Sequence, residues 1–253
     1  MMKVETYLIN LDGSNDRLEN ATKQLNQQKF QFERFPAYDG RGKPLSDFDQ
    51  YDDETANKIM GRSLISSELG CYLSHVGCVQ KFLETDADYL IVLEDDLKMV
   101  DDFKITIDGI LAYLDEHKEL DWYVANLAAK KNKLSKTITK INGYELVHAY
   151  YFPIRAIGLI WSRKGAEEFV KLCFPMNVPV DNLIQSWLCQ NGKGLSVWSP
   201  LLRPSGLDSD IDGAIATQGQ KRNAKEVREF SYSLKKHKRM WRDRFHAIKH
   251  LIF

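Results

Sequence analysis

The chain has 253 residues, 43% of them hydrophobic and 28% charged, and its 35 Lys and Arg balance 35 Asp and Glu. That length buries a sizeable core, the mix is that of an ordinary globular protein, and no stretch approaches the roughly 20 apolar residues of a membrane span. Four cysteines without a Cys-x-x-Cys pair (Cys71, Cys78, Cys173, Cys189) exclude a small disulfide scaffold, so reduced and mostly buried thiols are expected.

The opening Met1–Glu5 lacks the apolar segment of a signal peptide, which points to the cytoplasm. Charge is unevenly placed. From Lys221 onward there are 11 Lys and Arg against 3 Asp and Glu, leaving 24 basic and 32 acidic residues in 1–220. The division expected is a body over 1–220 and a basic helical tail over 221–253. An acidic body with a basic tail suggests an anionic partner for the tail.

Lys3–Ile9 reads as a strand ending in a turn at Asn10–Gly13, and Ser14 begins a helix over 15–29 with Leu18, Ala21 and Leu25 at helical spacing. Phe30–Phe35 alternates as a second strand. Residues 41–62 read as a polar loop with one short helix. The strongest helix spans 67–85, with Leu69, Tyr72, Leu73, Val76, Val79 and Leu83 as its apolar stripe. Asp88–Leu93 is a compact apolar strand, followed by a helix at 101–118 and a strand at Trp122–Asn126. Asn142-Gly143 joins a hairpin. Ala156–Trp161 is a strand, Ser162 caps a helix to Cys173, and a helix at 181–190 and a strand at 194–198 close the body. Residues 199–222 read as a loop. Strands alternating with helices argue for an α/β layered fold whose sheet is mainly parallel, the hairpin making it mixed.

The chemistry concentrates where the apolar strand ends in Glu94-Asp95-Asp96. Ligands of open α/β sheets bind at that strand edge. Side chains two apart share a face, so Glu94 and Asp96 point together. Three neighbouring carboxylates repel, and Mg²⁺ or Mn²⁺ relieves the repulsion while leaving room for phosphate oxygens. The competing reading is an acidic helix N-terminus directly after a strand.

Four stretches in order resemble glycosyltransferase family 25, the lipooligosaccharide β-galactosyltransferases. They are Ile9–Asp12 with Asp16-Arg17, Arg34–Gly40, Ser67–His75 (Ser67 standing where that family has Gly) and Leu93–Asp96. Weaker likeness runs through Ala156–Trp161 and Val178–Asp181 and fades beyond 200. The resemblance implies a GT-A-like, Rossmann-type nucleotide-binding domain and a UDP-sugar donor, UDP-galactose first. It further implies Mn²⁺ or Mg²⁺ at Glu94 and Asp96, inversion at the anomeric carbon and a lipooligosaccharide or other glycan acceptor. Donor contacts expected on these motifs are Asn10, Leu11, Asp12, Arg17, Asp39, Gly40, Ser74, His75, Glu94 and Asp95.

Several of these residues carry a plainer alternative. Arg17 reaches a phosphate or is a solvated helix arginine. Asp39 and Gly40 contact the donor or only form a turn. Cys71, His75 and Cys78 share a helix face but lie too far apart to close on one zinc, so His75 either lines the site or is a buried structural histidine. Gly70, Ser74 and Gly77 form a small-residue stripe suited to close packing or to a sugar. The general base expected is Asp181, whose alternative is a helix N-cap. Asp208, Asp210 and Asp212 sit in a loop suited to closing over a donor or to supplying a further metal ligand. The tail, with Phe230, Leu234, Trp241, Phe245, Ile248 and Leu251 among basic residues, suits the anionic cytoplasmic face of an inner membrane or packs on the body. Two rival functions stay open: a metal phosphohydrolase, which needs a second ligand set, and a non-catalytic binder of anionic polymers. No nucleic-acid motif is present.

Overall fold

The computed structural model describes residues 2–206 and 230–252. Its centre is an eight-stranded sheet in the order β2-β1-β3-β8-β5-β9-β7-β6. The strands are β1 (Val4–Asn10), β2 (Glu33–Pro36), β3 (Tyr89–Glu94), β5 (Val124–Asn126), β6 (Ser135–Ile141), β7 (Tyr144–Ala149), β8 (Gly158–Ser162) and β9 (Gly194–Trp198). Six of the eight run the same way. Only β8 and β7 are reversed, β8 pairing antiparallel with both β3 and β5, and β7 with β9 and β6. The sheet is therefore mixed and mainly co-directional, as the α/β alternation and the Asn142-Gly143 hairpin require.

Seven α-helices are described: α1 (Asn15–Gln27), α2 (Asp53–Met60), α3 (Ser66–Leu83), α4 (Phe103–Glu116), α5 (Arg163–Val170), α6 (Val180–Asn191) and α7 (Phe230–Ile252). The period-2 alternation of the strands divides them into two layers. On β1 and β3, Tyr7, Ile9, Leu90 and Val92 face one way, packing with α2, α3, α5 and α6 residues such as Met60, Val79, Phe169 and Leu188. Leu8, Ile91 and Leu93 face the other way onto α1 and α4, through Ala21, Leu25, Phe103 and Ile107. A sheet buried on both faces explains why β3 is apolar throughout rather than alternating with polar residues.

Two stretches differ from the sequence reading. The second strand starts at Glu33, not Phe30, because Lys29 takes a left-handed turn (φ 53°) and Phe30 packs against Phe103 of α4, ring centroids 5.2 Å apart. A three-residue strand β4 (Leu97–Met99) follows the acids immediately and pairs antiparallel with β10 (Leu202–Pro204), inside the segment read as loop. Such short strands carry no periodicity of their own, and their pairing is long-range. The boundary between body and tail, and the Asp208, Asp210 and Asp212 loop, lie outside the described residues. Among those described, no helix is long and apolar enough to cross a membrane.

Candidate active site

The strand alternation carries on into the acids and assigns each one a direction. Glu94 continues the face of Leu90 and Val92, toward α3, where its Oε1 lies 2.9 Å from Nε2 of His75. His75 is almost wholly buried. Asp95 continues the opposite face, toward α1, and forms a buried ion pair with Arg17 of that helix. It also accepts a hydrogen bond of 2.7 Å from Nδ2 of Asn10. Asp96 lies in the turn between β3 and β4, its backbone carbonyl accepting from the Ser205 amide. The next helix does not begin until Phe103. An acidic helix N-terminus is thus not what these three residues form.

Asp96 has the least settled environment. Its Oδ1 is buried with no hydrogen-bond partner. Burial, and then the neighbouring Glu94 charge, push its carboxyl up to about 6, against a smaller downward pull from Arg17. A buried carboxylate oxygen without a donor is costly. A divalent cation bound between Glu94 and Asp96 removes that cost, so the donor set fits the hard, oxygen-liganded Mn²⁺ or Mg²⁺ that the motif implies.

An open cleft is walled by the ends of β1 and β3, the loop after β2 and the first turns of α3. Asn10, Leu11, Arg17, Asp39, Gly40, Ser74, His75, Glu94, Asp95 and Asp96 all line it. Asp12 does not: it is exposed and ion-paired with Arg34. Asp181 lies in an adjoining cavity with Arg155, Pro179 and Glu68, and Cys71 and Glu94 line both.

Lining the cleft is not the same as being available to a ligand. The Asn10 side chain already makes three hydrogen bonds within the protein. Its Nδ2 donates to Asp95 and to the Ser14 carbonyl, and its Oδ1 accepts from Nε of Arg34 at 2.9 Å. It clasps the ends of β1, β2 and β3. Arg17 likewise holds Asp95 in place. Arg17→Ala is expected to lower stability by about 3 kcal/mol or more, because it leaves a buried carboxylate without its counter-charge. Denaturant unfolding measures this; unchanged stability with weakened donor binding would instead mark Arg17 as a phosphate contact.

The small-residue stripe of α3 proves to be a packing device. A Cβ on Gly70 would stand 2.5 Å from the Tyr38 carbonyl oxygen, and one on Gly40 would stand 2.0 Å from that of Ser66. Gly77 similarly admits the Phe35 ring. Ser74 Oγ accepts from the Tyr38 amide at 2.8 Å and donates to the Gly70 carbonyl. The loop carrying Tyr38, Asp39 and Gly40 is thereby laid backbone-to-backbone on α3, forming the cleft wall. At the rim, the Arg41 guanidinium hydrogen-bonds Asp39 and holds its carboxyl below the usual range. Gly70→Ala is expected to cost about 1–3 kcal/mol, since only backbone atoms stand in the way. Urea unfolding reads the loss, and donor affinity should fall with it as the loop is displaced.

Asp181 sits at the second position of α6, where Pro179 is the N-cap, so the capping alternative does not describe it. Its Oδ1 accepts a hydrogen bond of 2.8 Å from the Asn182 side chain. Cys71 was missed in sequence as a partner of His75 and Glu94. Ligand atoms of Cys71, His75 and Glu94 lie within 4.8 Å of one another. The i, i+4 spacing of Cys71 and His75 was visible, but the third member comes from another strand. Cys78 is buried in the core. Arg155 carries no sequence signal; Glu68 lies in the Ser67–His75 motif without an assigned role, and it forms a paired ion bridge with Arg62, both contacts at 2.7 Å.

A three-layer α/β sandwich with a cleft at the carboxyl ends of β1 and β3, floored by acids, places this protein in the α/β class whose ligands bind at that strand edge. A profile of glycosyltransferase family 25 (LPS biosynthesis protein) matches residues 3–184. The chain belongs to that family. Human procollagen galactosyltransferase 2 is 25% identical over 186 residues, covering 71% of this chain and 29% of its own length. A glycosyltransferase 25 family member of Anopheles gambiae is 27% identical over 248 residues, covering 87% of this chain and 41% of its own. The lipooligosaccharide biosynthesis protein lic2B of Haemophilus influenzae is 29% identical over 91 residues, 36% of this chain and 33% of its own. This chain thus spans less than half the length of each of these relatives.

Proposed function

We propose that this protein is an inverting glycosyltransferase that moves a hexose, galactose first, from a UDP-sugar onto a surface glycan. The observation that carries the reading is the buried, unpartnered Oδ1 of Asp96 beside Glu94 in a cleft at the carboxyl edge of the sheet. Family membership supplies the reaction class, and galactosyltransferases among the relatives favour the sugar.

In this account the nucleotide and diphosphate occupy the cleft lined by Leu11, Tyr38, Asp39 and Ser67, and Glu94 and Asp96 hold Mn²⁺ or Mg²⁺. Such an ion neutralises charge developing on the departing diphosphate. His75 fixes the rotamer of Glu94 from behind, the role an outer-shell partner has around a ligand. The acceptor enters the adjoining cavity. The Asp181 carboxylate takes the proton of its attacking hydroxyl, the acceptor oxygen bonds to the anomeric carbon, and the bond from that carbon to the UDP oxygen breaks on the opposite face. Glu94 and Cys71, shared by both cavities, stand where donor and acceptor meet.

The relatives are named for different acceptors, a procollagen and a lipooligosaccharide. The lipooligosaccharide or another lipopolysaccharide glycan is the acceptor proposed, on the cytoplasmic side. The Cys71, His75 and Glu94 grouping favours a second reading of the metal, a softer ion such as Zn²⁺ held on the α3 side of Glu94.

A thermal-shift panel of UDP-galactose, UDP-glucose, UDP-N-acetylglucosamine and CMP-sialic acid tests the reading, each with Mn²⁺, with Zn²⁺ and with EDTA. The largest stabilisation is expected from UDP-galactose with Mn²⁺. Stabilisation by every nucleotide in EDTA would remove the oxygen-held metal. Release of inorganic phosphate from simple phosphoesters would turn the assignment toward a phosphohydrolase.

A further inference from the structure

Helix α7 is held on the body by one face only. Asp243 and Ala247 are buried. Ser186 of α6 donates to Asp243, and Arg242 donates to Ser186 at 2.7 Å. The ring Nε2 of His250 lies 2.8 Å from the Gln190 carbonyl, and Lys235 donates to the Asn57 carbonyl of α2 at 2.9 Å. These contacts fix the rotation of the helix and therefore what its outer face presents.

That outer face is apolar. Leu234, Trp241, Phe245, Ile248 and Ile252 are 64%, 64%, 68%, 41% and 67% exposed. Their spacing of seven, four, three and four residues places all five within an arc of about 60° along about 27 Å of helix. Lys238 and Lys249 flank the stripe on one side and Arg244 on the other, its guanidinium 5.6 Å from the Trp241 ring centre. A row of five large apolar side chains left in water, bordered by cations, marks a contact surface.

We infer that α7 docks the protein on an anionic lipid bilayer, with the five-residue stripe entering the headgroup boundary and the flanking cations meeting lipid phosphates. Charge selects this occupant over a second copy of the chain. From Phe230 to Ile252 there are seven Lys and Arg against one acid, Asp243, and that acid faces the body. Pairing two such helices stripe to stripe would set like charges against each other, whereas an anionic surface complements them. Aromatic residues in the stripe and long basic side chains at its edge suit the interface between headgroups and acyl chains. The inference stands apart from the catalytic assignment, since it involves none of the cleft residues.

Co-sedimentation of the full chain with vesicles tests it. Binding is expected to vesicles of phosphatidylcholine containing phosphatidylglycerol, not to phosphatidylcholine alone, and is expected to weaken at high salt. The double variant W241S/F245S alters only exposed side chains. It should keep the wild-type thermal midpoint and its activity on a soluble acceptor, while its vesicle partition falls about tenfold or more. Wild-type-like partition of the double variant would overturn the inference. So would failure of the wild type to bind anionic vesicles, or a wild-type dimer in light scattering that the same substitutions dissolve.

Discussion

Asp96→Asn is expected to reduce sugar transfer by about three orders of magnitude without harming the fold. The substitution keeps the shape of the side chain and removes the charge that a cation needs. Loss of one metal ligand removes on the order of 4 kcal/mol of stabilisation from charge developing on the diphosphate, and 1.36 kcal/mol is a factor of ten. The effect on stability has the opposite sign. The Asp96 carboxyl titrates at about 6, pushed up by burial and by Glu94, whereas an unfolded aspartate titrates near about 3.9. The folded state therefore binds the proton more tightly, and stability falls as pH rises through that interval. At neutral pH the metal-free protein holds an ionised carboxylate that it would rather protonate. Asp96→Asn should raise its thermal midpoint at pH 7 and have little effect below pH 4. Excess Mn²⁺ should stabilise the wild type and not the variant. Calorimetric scans at the two pH values, with and without the ion, read all three outcomes; a variant that unfolds earlier than wild type at pH 7 would count against the environment described for Asp96.

Asp181→Asn tests the acceptor side with an effect nearly as large. A positioned general base contributes about 10²–10⁴ in rate. The loss is expected in kcat, with donor affinity unchanged, because Asp181 lies in the cavity beyond Glu94 and not among the residues walling the donor cleft. Slow hydrolysis of the donor by water should survive in the variant better than transfer does. Equal losses in transfer and in donor binding would place Asp181 in the structural support of α6 instead.

The outline of this site was legible because its strongest signal is local. An apolar run ending in three acids needs no long-range information, and the period of a strand sends Glu94 and Asp95 to opposite layers wherever the sheet is buried on both faces. The sequence was less informative about how the acids are used. Whether they head a helix or turn into a strand depends on β4 finding β10, a pairing across about 100 residues that three-residue segments do not announce. The same holds for Asn10 and Arg17. Each lies on a matching motif at the mouth of the cleft, yet tertiary contacts commit the first to a three-strand clasp and the second to Asp95. A motif position records that a residue matters near the site; it does not separate touching the ligand from holding the residue that does. The glycines illustrate the converse. Gly70 and Gly77 at helical spacing announce close approach of something, and the neighbour is the β2 strand with its following loop, not a sugar.

Leu234, Trp241 and Phe245 were readable as one helical face of the tail, but spacing alone does not say whether that face is buried. The contacts of Asp243, Ala247 and His250 settle its direction by occupying the opposite side.

The most direct measurement of the central claim is an anomalous difference map from a crystal of this protein soaked with MnCl₂ and UDP. A manganese peak bonded to carboxylate oxygens of Glu94 and Asp96 and to the diphosphate is the result this account requires. A nucleotide lodged elsewhere, or an ion seated on the Cys71 thiolate with Asp96 left bare, would contradict it.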